Sequence, residues 1–295
     1  MTAHAGMDHV GVVVHPRREL DKPLAALRAW AASRDAELVQ VAMPGVDRAV
    51  ADPGTAAGCD LVVALGGDGT TLAALHACAS AGTPVLGVAC GSLGALTATS
   101  ADQLDEALHA FGAGDWQPRR LPGIAVAADG SPPDVALNDF VIVRKGASQI
   151  IVAIEVDGEL FIRFAGDGIV IATPLGSSAY TMAAGGPVLA PGTHSIVLTP
   201  LAAHGGSCPP LVVGRERALQ VTIEPGHYGA RVELDGHVQE LLPTKLSVTW
   251  RSDYATLVAF GGAETFLAGL RRRRILADSP RVVARDARAL VEPSA

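Results

Sequence analysis

The chain has 295 residues, 49% apolar and 18% charged, a globular profile at a length that fits about two domains of ~150 residues each. Aromatic residues are only 4%, which argues against stacking platforms for single-stranded nucleic acid, and the net charge of -7 argues against non-specific binding to nucleic acid or an anionic membrane. Cys59, Cys78, Cys90 and Cys208 lack CxxC spacing and read as reduced, mostly buried thiols of a cytoplasmic protein. The segment MTAHAGMDHVGVVV has no basic stretch leading into a sustained apolar run, so no signal peptide is expected, and no run nears the ~20 residues of a membrane span.

In chain order, HVGVVVH (9–15) is a β-branched run suited to a strand buried on both faces. Residues 20–34 space Leu24, Leu27 and Trp30 on one helix face, with Pro23 tolerated in the first turn. ELVQVAM (37–43) and LVVAL (61–65) are further strands, and the alanine-rich stretch 70–82 is a helix ending at Gly82. PVLGVAC (84–90) is a fourth strand, followed by a helix over 101–114. Repeated β–α units with short links predict a parallel, Rossmann-like sheet. After Trp116 strands dominate as far as Phe260, punctuated by Asp129-Gly130, Asp157-Gly158 and Asp235-Gly236 turns, which predicts a β-sandwich-like second domain. A short helical signal interrupts it at 177–186, and 264–276 reads as a C-terminal helix. Its basic run Arg271-Arg272-Arg273-Arg274 reads as a solvated helix end, and the segment after it as a mobile tail.

Three stretches can carry chemistry. Where the strand LVVAL ends, Gly66-Gly67-Asp68-Gly69-Thr70 either makes a tight turn or brings backbone amides and a helix N-terminus to an anion. No Lys-Ser/Thr follows, so it is not a Walker loop. An acid beside bound polyphosphate would hold Mg²⁺ or take a proton from an attacking hydroxyl. In GDGIVIATPLGSSAYTMAAGGP, Gly176, Ser177, Ser178 and Ala179 precede Tyr180, whose ring either stacks on a base or fills the core. Asn138 and Asp139, at a strand start, suit either a turn or the polar edges of a base or ribose.

Taken together, GGDGTTL, PVLGVACGSLGALT, ALNDFVIVRK, GDGIVIATPLGSSAYTMAAGGPV, SIVLTPLAAH, LDGH and FLAGLRRR resemble, in order and spacing, the NAD kinase family over roughly residues 8–276. GGDGT alone is shared with diacylglycerol and sphingosine kinases; the TPxGSSAYxxxAGGP string is the specific part. The resemblance implies an α/β domain (1–115), a β-rich substrate domain (116–262), a helix returning to the first domain (263–278) and a flexible tail (279–295). It implies transfer of a phosphoryl group from ATP or polyphosphate, with Mg²⁺ or another divalent metal, to the 2′-hydroxyl of the adenosine ribose of NAD. Homodimers or homotetramers are usual in the family. Asp68 then matches the proton acceptor and Gly66, Gly67, Gly69 and Thr70 the phosphate loop. Asn138, Asp139, Asp167, Gly176, Ser177, Ser178, Ala179, Tyr180 and His237 match substrate contacts. Ala89, Ala95, Leu96, Leu175 and the short Asp139 depart from the family pattern, so the phosphate-handling part looks intact and the acceptor pocket altered. A kinase of the same fold acting on another hydroxyl compound, and a non-catalytic dinucleotide sensor, are the alternatives.

Overall fold

A computed structural model of the chain describes residues 7–128, 130–239, 244–262 and 264–291. Its first part alternates β1 (His9–Val14), α1 (Asp21–Ala32), β2 (Glu37–Val41), β3 (Asp52–Gly54), β4 (Leu61–Gly66), α2 (Asp68–Ala79), β5 (Val85–Ala89), β6 (Thr99–Ser100) and α3 (Leu104–Ala113). The strands pair in parallel in the order β3-β2-β1-β4-β5. Leu61 to Leu65 are all 0% exposed, as a central strand of a parallel sheet covered on both faces requires. β3 escapes the sequence pattern because it is three residues long, contains Pro53 and lies at the sheet edge, where a missing N–H costs little.

The second part comprises β7 (Gln117–Ala128), β8 (Asp134–Ala136), β9 (Asp139–Arg144), β10 (Ile150–Val156), β11 (Glu159–Gly166), β12 (Gly168–Ala172), α4 (Tyr180–Ala183), β13 (Ser195–Leu201), β14 (Leu211–Gly214), β15 (Leu219–Glu224), β16 (Ala230–Leu234), β17 (His237–Val238) and β18 (Lys245–Ala259). One antiparallel sheet runs β14-β13-β12-β9-β16-β17. Its inner face, with Phe140, Ile142, Ile169 and Ile171, packs on Ile150, Val152, Val221 and Val248 of the other sheet, a sandwich core. The turns Asp157-Gly158 (φ 51 and 83) and Asp235-Gly236 (φ 49 and 80) take positive φ at both positions, the hairpin geometry read from the Asp-Gly pairs. Asp129 lies outside the described residues.

The two parts share a sheet. β18, 15 residues long, pairs antiparallel with β15 and β7 and then, through Leu257 opposite Val85, parallel with β5. A bulge between Arg251 and Ala255 bends it between those two roles. After it come α5 (Phe266–Arg272) and α6 (Pro280–Val291). α6 occupies much of the segment read as a mobile tail: the run PRVVARDARALV sustains helical hydrogen bonding although its residues through Asp286 are exposed. None of the described helices is long and apolar enough to cross a membrane.

Candidate active site

The loop between β4 and α2 is shaped by what its glycines allow. A Cβ on Gly66 would fall 2.2 Å from the Thr70 hydroxyl, so that close packing of strand end against helix needs a glycine. α2 begins at Asp68, two residues before the helix predicted from the alanine run, with Gly67 extended ahead of it. Thr71 donates its N–H to Gly67 O at 2.9 Å, which leaves the amides before it without an intrahelical partner. Gly69 is exposed, whereas Thr70 as a whole is only 6% exposed, so Gly69 presents the open backbone of this loop and Thr70 packs beneath it.

The Asp68 carboxylate reaches across to the loop after β5. Oδ2 accepts from Ala95 N and Oδ1 from Leu96 N, each at 2.9 Å. A Cβ on Gly94 would lie 2.0 Å from Asp68 Oδ1, so this approach also depends on a glycine. Two lone pairs of the carboxylate remain for another donor. Two cations stand by it. Arg273 Nη1 is 3.8 Å from Oδ2, and Arg119 donates to Ala95 O at 3.2 Å. Burial pulls the Arg119 guanidinium below its ordinary pKa, and the Asp68 charge pushes it back up. Arg18, after β1, donates to Cys90 O at 2.7 Å, and a Cβ on Gly91 would sit 2.3 Å from its Nη1. It therefore overhangs the ends of β4 and β5.

The basic run is not simply solvated. Arg271 pairs with Asp278, Arg272 bonds Glu264 and Leu93 O, and Arg273 faces Asp68. The contacts to Leu93 O and Asp68 dock α5 on the glycine loops of the first part, while the other two stay within the C-terminal segment. Between α5 and that loop lies a cavity of about 140 Å³ lined by Gly94, Ala95, Arg119, Phe266 and Arg273. On the other side of Arg119 a larger one, about 350 Å³, is bounded by Leu175, His194, Arg215, Trp250 and Phe266.

Asn138 and Asp139 are presented by a buried cap that the sequence reading missed. Asp235 Oδ1 accepts from the amides of Asn138 (2.6 Å) and Asp139 (3.1 Å), and Oδ2 from that of Leu137 (2.7 Å). Asp139 itself is 8% exposed. Burial, then the charges of Asp235 and Glu233, push its carboxyl up to about 7. Between an unfolded-chain value of about 3.9 and that level the native state holds more protons than the unfolded one. Stability therefore falls as pH rises through the window. Asp139→Asn removes the buried charge, so its stability advantage over wild type should grow from about pH 4 to about pH 7 and then level, at on the order of 2–4 kcal/mol. Thermal melts across this range check it; a melting-temperature difference independent of pH would refute the burial argument.

The segment 173–180 packs directly on that cap. Thr173 Oγ1 donates to Leu137 O at 2.6 Å, and Thr173 N to Asn138 O at 2.9 Å. Ser177, expected among the substrate contacts, is 0% exposed; its hydroxyl donates to Pro174 O (2.7 Å) and accepts from Leu189 N (2.9 Å). With its proton donated inside the protein and the side chain closed off from solvent, it shapes the segment rather than meeting a ligand. Ser178 bonds Leu175 O at 3.3 Å and stays partly open, while Ala179 is exposed and Tyr180 is 42% exposed, which leaves the ring free to stack rather than in the core. Asp167 is held by Arg144 at 2.5 Å and is 39% exposed, and His237 is exposed beyond the Asp235-Gly236 turn.

Leu96, Leu137, Leu75 and Leu121 form one apolar cluster, against which Leu72 and Leu175 pack. That cluster joins the Asp68 loop to the Asn138 and Gly176 segments, so the three stretches converge on one region. It also accounts for Leu175: a hydroxyl there would face hydrocarbon. Arg18, Arg119 and His76 were not singled out from sequence, and Asp235 only as a turn residue, because each acts on residues far away in the chain.

Residues 31–116 match the profile described as the ATP-NAD kinase N-terminal domain, and 137–259 the ATP-NAD kinase C-terminal domain. The NAD kinase of Heliobacterium modesticaldum is 35% identical over 221 residues, 72% of this chain and 78% of that protein. That of Desulforamulus reducens is 33% identical over 242 residues, 78% and 84% of the two chains. Among solved structures, yeast NADH kinase complexed with NADH superposes with a TM-score of 0.75 at 21% identity, covering 93% of this chain and 89% of that one. An Archaeoglobus fulgidus NAD kinase in complex with ATP gives 0.71 at 24% identity, covering 91% and 100%. At such identities the structures speak for the fold; the matched domains and the relatives above 30% identity establish that the chain belongs to the NAD kinase family.

Proposed function

We propose that this protein transfers the terminal phosphoryl group of ATP to the 2′-hydroxyl of the adenosine ribose of NAD, giving NADP. The observation that carries this reading is the placement of one carboxylate, Asp68, at the head of α2 between unpaired amides and the cations Arg119 and Arg273. A ribose hydroxyl is a poor nucleophile at neutral pH. Asp68, with lone pairs to spare, would accept its proton as the new P–O bond forms. The Gly67–Thr70 amides and the exposed Arg18 would hold phosphate oxygens. Asn138 and Asp139 would hold ribose and base edges, and Tyr180 would cover a ring. Ser178, Ala179 and His237, each partly or fully exposed, would add contacts to the acceptor, whereas Asp167, paired with Arg144, stands at the other end of β12 from Thr173 and would reach only a more distant part of it.

No group of three His, Cys, Asp or Glu able to hold an ion occurs among the described residues. That suits a divalent ion such as Mg²⁺ that arrives on the nucleotide, with phosphate oxygens and water as most of its ligands and Asp68 the carboxylate at hand. Once bound, it would neutralise phosphate charge. We also propose a cytoplasmic homo-oligomer: Leu160 (58% exposed) and Phe161 (36%) lie on β11, at the end of the larger sheet, where a second copy would cover them.

Purified protein incubated with NAD and either ATP or polyphosphate should form NADP only when a divalent metal is added. Absence of NADP with every donor, while ATP is consumed with another hydroxyl compound, would favour the second reading, a same-fold kinase with a different acceptor. That reading draws on Ala95, a departure from the family pattern that lines the cavity beside Arg119 with only a methyl group. NAD binding without turnover would instead indicate a sensor.

A further inference from the structure

His76 lies on α2 two turns beyond Asp68, and its ring leaves the helix toward the other half of the molecule. Nε2 is 2.6 Å from Asp235 Oδ2, the carboxylate that already takes the amides of Leu137, Asn138 and Asp139. Every other group aimed at that carboxylate is an N–H, so Nε2 is the donor. In the neutral ring Nδ1 then accepts from the Tyr254 hydroxyl at 3.3 Å. The two rings meet edge to face, with centroids 5.8 Å apart. The Asp235 side chain is 1% exposed and that of His76 28%. Asp235 sits at φ 49 as the first residue of its Asp-Gly hairpin turn, which fixes the backbone from which its carboxylate projects.

This fourth donor is not needed to satisfy the turn, since three backbone amides already occupy the carboxylate. What it adds is a link between elements. One end of α2 carries Asp68; the other, through His76 and Asp235, grips the strand start that presents Asn138 and Asp139. The neighbouring contacts are apolar: Leu72, Leu75 and Leu137 belong to the same cluster and constrain distance without fixing direction. A hydrogen bond supplies the direction.

We infer that His76 is a positioning residue that, with Asp235 and Tyr254, sets the register of Asn138 and Asp139 against Asp68, and so holds the acceptor hydroxyl in line with the donor phosphate. The inference rests on the proposed NAD kinase reaction, and its test separates the two. His76→Leu keeps apolar packing and removes the donor, whereas the amide of His76→Gln can restore it. His76→Leu should raise KM for NAD and lower kcat, about tenfold each, with KM for ATP within about twofold of wild type, because misplacing a reacting group by about an ångström costs up to ~100-fold. His76→Gln should recover most of both. Amide hydrogen exchange at residues 137–139 of the intact protein should quicken in His76→Leu and return to the wild-type rate in His76→Gln. Should His76→Leu not fold, Tyr254→Phe, which frees Nδ1 alone, should give a smaller effect in the same direction. A lowered melting temperature with unchanged kinetic constants, equal rises in both KM values, or no recovery in His76→Gln would each overturn the inference. If the wild type makes no NADP, the reaction assignment fails, and the exchange rates still show whether His76 holds the 137–139 segment.

Discussion

Asp68→Asn should lower kcat for NADP formation by about 10²–10⁴-fold, the range expected when a positioned proton acceptor is lost. Asparagine has the same shape, so the substitution leaves the β4–α2 loop in place. Its effect is chemical: the amide has no negative charge and cannot take the hydroxyl proton. A second effect is structural. Ala95 N and Leu96 N each donate to one carboxylate oxygen. An asparagine offers one oxygen and one NH₂, so one of these amides would face another donor, at a cost of about 1–3 kcal/mol. Loosening of the loop must therefore be separated from loss of the base. Thr97→Ala does so, because Thr97 Oγ1 accepts from Gly94 N at 2.8 Å and its removal slackens the same loop while keeping the carboxylate. Steady-state kinetics beside thermal melts should show a large loss of kcat for Asp68→Asn and only a small one for Thr97→Ala. If both lose kcat equally, Asp68 acts as a brace for the loop and its role as base is excluded.

The largest loss of stability should come from Gly176→Ala. A Cβ there would lie 2.0 Å from Asn138 O, 2.4 Å from its carbonyl carbon and 2.8 Å from its Cα. All three are backbone atoms of a strand start pinned by Asp235 and by the Thr173 N–H, so no side chain can swing away to make room. Overpacking against movable side chains costs about 1–3 kcal/mol. Against fixed backbone the cost should exceed that, lowering the melting temperature by roughly 6 °C or more at 2–4 °C per kcal/mol. Gly69→Ala is the contrast. Nothing lies within 4 Å of a Cβ at that position, so its fold should be unaffected. If phosphate approaches that backbone, Gly69→Ala should still lose about tenfold or more in kcat/KM for ATP, since a methyl group there would hold the ligand off the amides. A Gly176→Ala protein that melts with wild type would mean the strand start can move, and the convergence of the site segments would lose its basis.

The strand–helix order of the first half was legible because its signals are local. Buried parallel strands read as unbroken runs such as LVVAL, helices as apolar spacing, and both repeat in chain order. The Asp-Gly hairpins of the second half were legible for the same reason, since few other residue pairs accept two successive positive φ values. GGDGT marked Asp68 and its glycines, whose need to be glycine is a matter of atoms a few residues away.

Other features depend on residues that meet only after folding. β18 reads as an ordinary strand, and nothing in KLSVTWRSDYATLVA announces that it will serve both halves of one sheet. Ser177 looks like a ligand hydroxyl until the chain brings Leu189 N to it. The four arginines of 271–274 look like a solvated end until α5 docks and sets one against Asp68. His76 and Asp235, 159 residues apart, carry no shared pattern at all. From sequence alone, then, come the class of fold, the family and the carboxylate proposed to take the proton, because each rests on short-range periodicity or a contiguous string. The direction in which Asp68 faces, the cations beside it and the grip on Asn138 and Asp139 belong to the tertiary structure, because hydrogen bonds and charge contacts depend on distance in space rather than along the chain.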